Sequence, residues 1–236
     1  MNEEIQNNNP DEFEDLPISM IRRAISTGLV QSKAPIPHFY LTAEIDVEKL
    51  VAIKKTLNEK QKVIKITYND ILLKLTAQTL KDHLYMTSSF MGEKIRKYKN
   101  VHLGFAVKVD DGLLVPVIKN CDKKSIVDIA TESKTLTEKA KTKKLRFHER
   151  KDAVFTVSNL GMYDIENFSA IINPPESAIL AVGSIIRKPV VIREAIEIRS
   201  RMKVTLSCDH RVIDGANGAS FLQALKFNFE NPQIDN

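Results

Sequence analysis

Five stretches of the chain carry apolar residues at the three- and four-residue spacing that is typical of amphipathic helices. One stretch opens with the S-x-x-D sequence of a capping box, from Ser125 to Asp128. The last stretch ends before the Asn-Pro pair at positions 231 and 232, where proline cannot continue a helix. The predicted helices cover residues 16–32, 47–59, 67–81, 125–144 and 219–230.

Alternation of apolar and polar residues predicts strands between these helices. Two prolines bar a helix before His38, and the alternation then continues to Ile45. Residues 101–119 predict a hairpin with Asp111 and Gly112 at its turn. Further strands are predicted at residues 153–157, 178–186, 188–192 and 196–208, with a turn at residues 158–161.

The order of these elements predicts one α/β (α+β) domain, with a mixed sheet flanked by helices. Strands and helices do not alternate regularly, and no GxGxxG follows a strand, so a doubly wound fold is not expected. Gly183 interrupts a predicted strand and indicates that another group approaches the backbone closely there. No apolar run approaches the roughly 20 residues of a membrane helix.

The charge of the chain is unevenly distributed, although the formal total is only +5. Residues 1–15 are expected to form an acidic disordered tail or the remnant of a linker, and residues 16–236 the folded domain. The basic remainder suits a phosphate-bearing ligand, since no nucleic-acid-binding motif accompanies it. The N-terminus resembles neither a secretory signal nor a mitochondrial presequence, so a bacterial cytoplasmic protein, or a processed mitochondrial matrix protein, is expected.

Cysteine and histidine spacing does not indicate a metal site. The two cysteines, Cys121 and Cys208, are expected to be reduced and buried. No histidine pair has the HExxH spacing of a zinc site. His38, on an apolar strand, is interpreted as a packed, hydrogen-bonded residue, and His148, in a basic stretch, as an exposed one.

The sequence SCDHRVIDGANG places charged side chains between a strand and a helix, where they would be costly to bury without partners. His210 stands there beside Asp209, Arg211 and Asp214. The two glycines of this stretch, at positions 215 and 218, are expected to let the backbone turn tightly.

SCDHRVIDGANGASFLQAL resembles the DHRxxDG signature of the catalytic domain of dihydrolipoamide acyltransferases, the core component of 2-oxo acid dehydrogenase complexes. IRRAISTGLVQSK, IPHFYLTAEID, GLLVPVIKN and FTVSNLGMYDIENFSAIINPPESAILAVG also resemble the family, in its order. The resemblance covers residues 16–232. The segment IENFSAIINPPESAILAVG is most similar to the acetyltransferases of pyruvate dehydrogenase complexes.

The resemblance implies a fold similar to chloramphenicol acetyltransferase and a homotrimer that assembles into a cubic or dodecahedral core. It implies coenzyme A, or acetyl-CoA, as one substrate and a lipoyl group as the other, without a metal. This sequence contains no lipoyl domain, so that group is expected from a lipoyl domain outside it. The other expected partners are the pyruvate dehydrogenase and dihydrolipoamide dehydrogenase components, and neither nucleic acid nor a membrane is expected.

The resemblance also implies roles for particular residues. His210 is the expected general base, because an unperturbed histidine titrates close to neutral pH and a thiol must lose its proton. Ser158 is the expected donor to the oxyanion, reaching across from a neighbouring subunit. Asp214 is expected to hold the geometry by pairing with an arginine, for which Arg22 and Arg23 are the candidates.

Two further positions, Asn159 and Gly183, are expected on the coenzyme A side, where polar groups and bare backbone suit a pantetheine arm.

Three alternatives stay open. An antibiotic acetyltransferase of the chloramphenicol type usually has a second histidine where Asp209 stands, a non-catalytic scaffold subunit would lack His210, and nucleic-acid binding rests on charge alone. Within the family, branched-chain or succinyl transfer is the alternative to acetyl transfer.

Overall fold

The computed structural model describes residues 13–110 and 112–234, except for the side chain of Ile21. Most of the acidic segment and Asp111 of the predicted turn therefore lie outside the described residues. The described residues form five α-helices: α1 Met20–Lys33, α2 Glu48–Lys60, α3 Tyr68–Asp82, α4 Ile126–Lys141 and α5 Gly215–Glu230. None of the helices within these ranges is long and apolar enough to cross a membrane.

The same residues form ten strands, of which six make one sheet. The strands are β1 His38–Asp46, β2 Ser88–Phe90, β3 Ile95–Lys97, β4 Leu103–Phe105, β5 Val107–Val109, β6 Gly112–Leu114, β7 Val117–Ile118, β8 Phe155–Asn159, β9 Ala178–Ile192 and β10 Ala195–Asp209. The main sheet has the order β1-β10-β9-β8-β4-β7. Strand β8 pairs in parallel with β4 and β9, and the other pairs are antiparallel. The predicted mixed sheet with flanking helices is thereby confirmed.

Helices α3 and α5 supply much of the core that lies against the sheet. The aromatic rings of Phe155 on β8 and Phe221 on α5 have centroids 5.7 Å apart, and both residues are fully buried. Leu73 and Leu80 of α3 are also fully buried. Burying each such side chain contributes on the order of 1.5–3 kcal/mol, so this contact fixes how α5 lies on the sheet.

Local sequence determines where several helices begin. Thr67 and Ser125 form complete capping boxes at α3 and α4, as predicted for Ser125. Ser19 caps α1 by accepting a hydrogen bond from the Arg22 amide, so this helix begins at Met20 rather than at residue 16. Asp214 caps α5 in the same way.

Several predictions about the last third of the chain were wrong. The predicted turn at residues 158–161 begins too early, because parallel pairing with β9 keeps Ser158 and Asn159 in β8. Residues 178–192 form one strand, since β10 pairs with them across both Gly183 and Pro189. The two glycines predicted to shape a tight turn, at positions 215 and 218, belong to α5 instead.

Candidate active site

The turn that carries His210 lies where three strands meet at one end of the sheet. Asp209 ends β10 opposite His38, the first residue of β1. The preceding residue, Cys208, pairs with Ala178 at the start of β9. The His210 amide donates a hydrogen bond to the carbonyl oxygen of Pro37, at 3.1 Å, and so ties the turn to the β1 entry.

Asp209 and Arg211 hold this turn through a fork of hydrogen bonds. The Asp209 side chain is almost completely buried. Arg211 Nε donates to Asp209 Oδ1 at 3.0 Å, Nη2 donates to Oδ2 at 2.8 Å, and the Arg211 amide donates to Oδ1 at 3.0 Å. The carboxylate raises the pKa of Arg211 through these hydrogen bonds. The residues that precede and follow His210 in the sequence are thus joined as a carboxylate and a cation.

The turn then closes directly into α5. The amides of Val212 and Ile213 donate to the Asp209 carbonyl oxygen at 3.0 and 2.9 Å, and Ile213 is fully buried. Asp214 accepts hydrogen bonds from the Asn217 amide at 2.8 Å and from Asn217 Nδ2 at 2.9 Å. These bonds fix both ends of the segment that displays His210.

The described part of a single chain does not show the expected pairing of Asp214 with an arginine. Among the described residues, Asp214 forms no ion pair with Arg22 or Arg23, both of which are exposed. The carboxylate is used instead to cap α5, which neutralises part of the positive end of the helix dipole.

The His210 side chain is exposed, and its ring lies against Phe39 of β1, with the centroids 4.8 Å apart and the planes at 57°. Neither ring nitrogen bonds to any residue that the structure describes. The imidazole is therefore oriented by packing from one side, while both nitrogens stay available to an incoming group.

Ser158 lies near the end of β8, where its main chain pairs with Ala181 of β9. Its side chain is 8% exposed, and its hydroxyl group makes no hydrogen bond to a described residue. The next residue, Asn159, accepts a hydrogen bond from the Gly161 amide at Oδ1, at 2.8 Å. This serine is thus a nearly buried donor without a partner among the residues that the structure describes.

A single chain does not bring Ser158 and His210 together. Ser158 is level with Ala181, which in turn pairs with Thr205 of β10, two strands away. His210 lies about 16 Å farther along β10 by strand rise, and two strand spacings add about 10 Å sideways. The separation is thus roughly 15–20 Å, too far for both groups to act on one reacting carbonyl.

The predicted close approach to Gly183 is confirmed, and the approaching group belongs to the same chain. A Cβ atom at Gly183 would lie 2.8 Å from the carbonyl carbon of Glu166 and closer still to its oxygen. The Ser184 amide donates to the Ile165 carbonyl oxygen at 2.8 Å and holds this crossing segment in place. The face of Gly183 that the sequence suggested for a ligand is therefore filled by main chain.

The predictions for His38, His148 and the two cysteines are confirmed. His38 Nδ1 donates to the Ile36 carbonyl oxygen at 2.9 Å, and Nε2 accepts from the Ile172 amide at 3.2 Å, so both ring nitrogens are hydrogen-bonded to the main chain. His148 is exposed. Cys121 and Cys208 are free and buried, and burial raises the pKa of each thiol to about 12. Within residues 13–110 and 112–234, no three His, Cys, Asp or Glu residues form a group that could hold a metal ion.

Sequence reasoning missed Glu176, which is buried at the entry to β9. Its Oε1 accepts hydrogen bonds from Thr156 Oγ1 at 2.9 Å and Asn173 Nδ2 at 2.8 Å, while Oε2 is buried without a partner in residues 13–110 and 112–234. Burial raises the pKa of this carboxyl to about 8. The only available signal was an acid between the prolines and the apolar start of β9, in NPPESAIL.

Residues 10–234 match the family model of the 2-oxoacid dehydrogenases acyltransferase (catalytic domain). The dihydrolipoyllysine-residue acetyltransferase component of the pyruvate dehydrogenase complex from Rickettsia bellii is 42% identical over 99% of this chain. The chain spans 57% of the length of that curated relative.

Solved structures give the same result. The cubic core of a pyruvate dehydrogenase multienzyme complex has a TM-score of 0.90 and 37% identity, covering 93% of this chain and 92% of that one. Azotobacter vinelandii dihydrolipoamide acetyltransferase, solved in a study of a serine, a histidine and an asparagine in its catalytic mechanism, has a TM-score of 0.90 and 35% identity, with the same coverage.

Chloramphenicol acetyltransferase matches with a TM-score of 0.58 at 11% identity, covering 83% of this chain and 89% of that one. This likeness confirms the predicted fold and says nothing further about chemistry, because the identity is so low. The family model and the relatives extend over nearly all of the chain. The chain belongs to the 2-oxoacid dehydrogenase acyltransferases and comprises their catalytic domain.

Proposed function

We propose that the chain transfers an acetyl group between dihydrolipoamide and coenzyme A. The observation that carries the proposal is the His210 imidazole, exposed on a turn fixed by Asp209 and Arg211, with no hydrogen bond to a described residue. Membership of the family and the 42% identity to a named acetyltransferase support the acetyl group as the substrate.

In the proposed reaction, a ring nitrogen of His210 takes the proton from the coenzyme A thiol, whose ordinary pKa near 8.5 keeps it protonated at neutral pH. The sulfur then attacks the carbonyl carbon of S-acetyldihydrolipoamide. When the tetrahedral intermediate collapses, its bond to the dihydrolipoamide sulfur breaks, and the imidazolium returns the proton to that thiolate. No covalent acyl-enzyme is needed.

Ser158 of a neighbouring subunit is proposed to donate its hydroxyl hydrogen to the oxyanion of that intermediate. One such donor is typically worth about 2.7–4 kcal/mol of barrier. The serine and histidine studied in the Azotobacter enzyme are separated by the same number of positions as Ser158 and His210. The studied asparagine follows that histidine by four positions, as Asp214 follows His210. Asparagine and aspartate are both favoured helix caps, and capping α5 is the role that Asp214 has here.

Asn159 and Gly183 are proposed to shape the coenzyme A side of the site. The amide of Asn159 faces the segment after β8 and would contact the pantetheine arm. Gly183 contributes indirectly, because the Glu166 main chain covers it and any side chain there would displace that segment.

The proposed assembly is a homotrimer built into a larger core, in the cytoplasm of a bacterium or in the mitochondrial matrix. Its partners are the lipoyl domains that carry the acetyl group, together with the pyruvate dehydrogenase and dihydrolipoamide dehydrogenase components. The relation to a cubic core and the separation of Ser158 from His210 within one chain both support shared sites between subunits.

The test is transfer from acetyl-CoA to free dihydrolipoamide by the purified chain, followed as a new thioester, with succinyl-CoA and isobutyryl-CoA beside it. Acetyl transfer is expected to be fastest and to fall by at least about 100-fold in His210→Ala, since a positioned base contributes that much. His148→Ala, at an exposed histidine, is the matched control and should keep full activity. No transfer by a correctly assembled particle would contradict the proposal, and a preference for another acyl group would correct the substrate.

A further inference from the structure

The side chain of Arg211 connects the His210 turn to the β2–β3 hairpin. Its guanidinium carbon lies 4.3 Å from the centre of the Phe90 ring, while its fork stays on Asp209. A cation over an aromatic face is attracted by the negative charge of the ring face, and more strongly where water is excluded. The guanidinium is therefore held on two sides, by a carboxylate and by a ring.

A second set of contacts joins the His210 turn and the β2–β3 hairpin to the start of β9. Ser177 Oγ donates to the Ser88 carbonyl oxygen at 2.6 Å, and both serines are buried. The Asp209 amide donates to the Ser177 carbonyl oxygen at 2.8 Å. The first residue of the hairpin, the residue before β9 and the residue before His210 are thus linked in one hydrogen-bonded series.

These contacts require the shape of arginine as well as its charge. Among the described residues, Arg211 alone donates hydrogen bonds to the carboxylate of Asp209, whose side chain is 2% exposed. Lysine could neutralise that carboxylate, but it has neither a two-pronged fork nor a flat face for Phe90. Because residues 210 and 211 share a peptide bond, a shift of Arg211 changes the direction of the His210 side chain.

We propose that Arg211 is a positioning residue for His210 and that Phe90 supports it from the hairpin. The inference rests on the proposed acetyl transfer and adds two residues to it. Neither residue touches the reacting atoms; both determine where the imidazole stands. A displacement of a base by about 1 Å can lower a rate by about 100-fold, so this support is expected to matter for turnover.

The experiment compares Arg211→Lys, Arg211→Gln and Phe90→Leu in the assembled protein. Phe90 is 36% exposed on a short hairpin, so a leucine there is expected to leave folding intact. Matched controls are Arg150→Gln and Phe147→Leu, a cation–π pair in the segment between α4 and β8, with the guanidinium carbon 5.9 Å from the ring centre. Assembly is checked by mass photometry before each assay.

Arg211→Lys and Arg211→Gln are both expected to lower kcat by about 10- to 100-fold, with the KM values for acetyl-CoA and dihydrolipoamide within about twofold of wild type. Phe90→Leu should lower kcat by a few-fold, and adding it to Arg211→Gln should lower kcat no further. Both control variants should keep the wild-type values. Full rescue of kcat by lysine, or a change confined to KM, would overturn the proposal.

Amide hydrogen exchange of residues 207–218 is measured on the same proteins, because it does not depend on activity. Exchange in this segment should become faster in Phe90→Leu and Arg211→Lys and stay unchanged in Phe147→Leu. Unchanged exchange in the first two variants would overturn the positioning role even if turnover fell. An inactive wild type would count against the proposed function alone, and the exchange result would still decide this inference.

Discussion

Glu176 is a buried carboxyl group whose proton affinity differs between the folded and the unfolded chain. Thr156 and Asn173 donate hydrogen bonds to Oε1, but Oε2 is buried and no described residue bonds to it. Desolvation therefore dominates and raises the pKa from its ordinary 4.5 to about 8. At neutral pH, the folded protein holds a proton here that the unfolded chain has lost.

Stability is therefore expected to fall as pH rises, because the folded state binds the extra proton. The contribution is fully present below about pH 4.5 and is lost progressively up to about pH 8. Glu176→Gln imitates the protonated form and removes this dependence. The free energy of unfolding of the variant should increase relative to that of wild type as pH rises, by at most about 5 kcal/mol at pH 8 and above. Urea unfolding of both proteins between pH 5 and pH 9 measures the difference.

Glu48→Gln is the control for this prediction, since the Ser200 amide donates to Glu48 Oε1 and holds the pKa of that carboxyl below its ordinary value. Glu48 stays ionised in both folded and unfolded chains above pH 5. The difference in free energy of unfolding between Glu48→Gln and wild type should therefore be constant across the pH range. A Glu176→Gln difference that stays equally flat would mean that Glu176 is ionised in the folded protein.

The sequence predicted the candidate site only where a role can be seen in a short motif. His210, Asp209 and Asp214 stand together in one stretch, and the family signature singles them out. Phe90 gave no such signal, because its contact with Arg211 exists only after the β2–β3 hairpin, which was not predicted, folds against the His210 turn. The raised pKa of Glu176 likewise depends on burial, which no local pattern reports.

Gly183 controls how the segment after β8 crosses β9. The Glu166 carbonyl group occupies the place of a side chain, and the Ser184 amide fixes the neighbouring carbonyl. Gly183→Ala should push this segment outward and lower the unfolding midpoint, by a change equivalent to about 1–3 kcal/mol. Denaturant unfolding at equal chain concentration measures it, because assembly makes the midpoint depend on concentration.

Gly28→Ala provides the comparison for this loss. Gly28 lies within α1, and a Cβ atom there would meet nothing within 4 Å. Alanine is the better helix former by about 0.8–1 kcal/mol, so the midpoint should rise slightly or stay unchanged. Equal effects of the two substitutions would show that Gly183 tolerates a side chain and that the crossing segment adapts freely.

Element predictions were most accurate where short-range sequence decides the structure. Helices α2 and α3 lie within one residue of the predicted bounds, and the capping box at Ser125 was found from its spacing. Strand β9 was predicted as two pieces, residues 178–186 and 188–192, which contain Gly183 and Pro189. Glycine and proline weaken strands in general. Pairing with β10 overrides that tendency, and only the tertiary fold supplies it.

At the scale of the whole molecule, the two proposed catalytic groups lie on different parts of one sheet. Ser158 is on β8 and His210 follows β10, separated by roughly 15–20 Å from strand geometry. Exposed apolar side chains offer a surface to other copies, on α1 and on the free end of the β9–β10 ribbon: Met20, Val30, Val191, Ile196 and Ile198. If a neighbouring subunit completes each site, Ser158 of one chain and His210 of another can act on the same acetyl group despite their separation within one chain.

Mixed assemblies test this arrangement directly. Chains with Ser158→Ala and chains with His210→Ala should each be nearly inactive as pure assemblies. In trimers formed at random from equal amounts of both, about a quarter of the interfaces combine an intact Ser158 from one chain with an intact His210 from its neighbour. Refolding or coexpressing the two variants together should therefore restore acetyl transfer to about a quarter of the wild-type rate, since each restored interface is complete.

The unmixed variants and a simple mixture of preassembled proteins serve as controls, and neither should gain activity. A further control is a chain that carries both substitutions, coassembled with wild type. This chain can supply neither Ser158 nor His210 to a neighbour, so it shows how far inactive chains merely dilute the activity of wild-type chains. If coassembly of the single variants restored nothing while both exchanged subunits freely, a site shared between subunits would be excluded, and only joint action of Ser158 and His210 within one chain would be left. That result would require a movement of roughly 15 Å between β8 and β10, which their pairing through β9 forbids, and Ser158 would lose its proposed role.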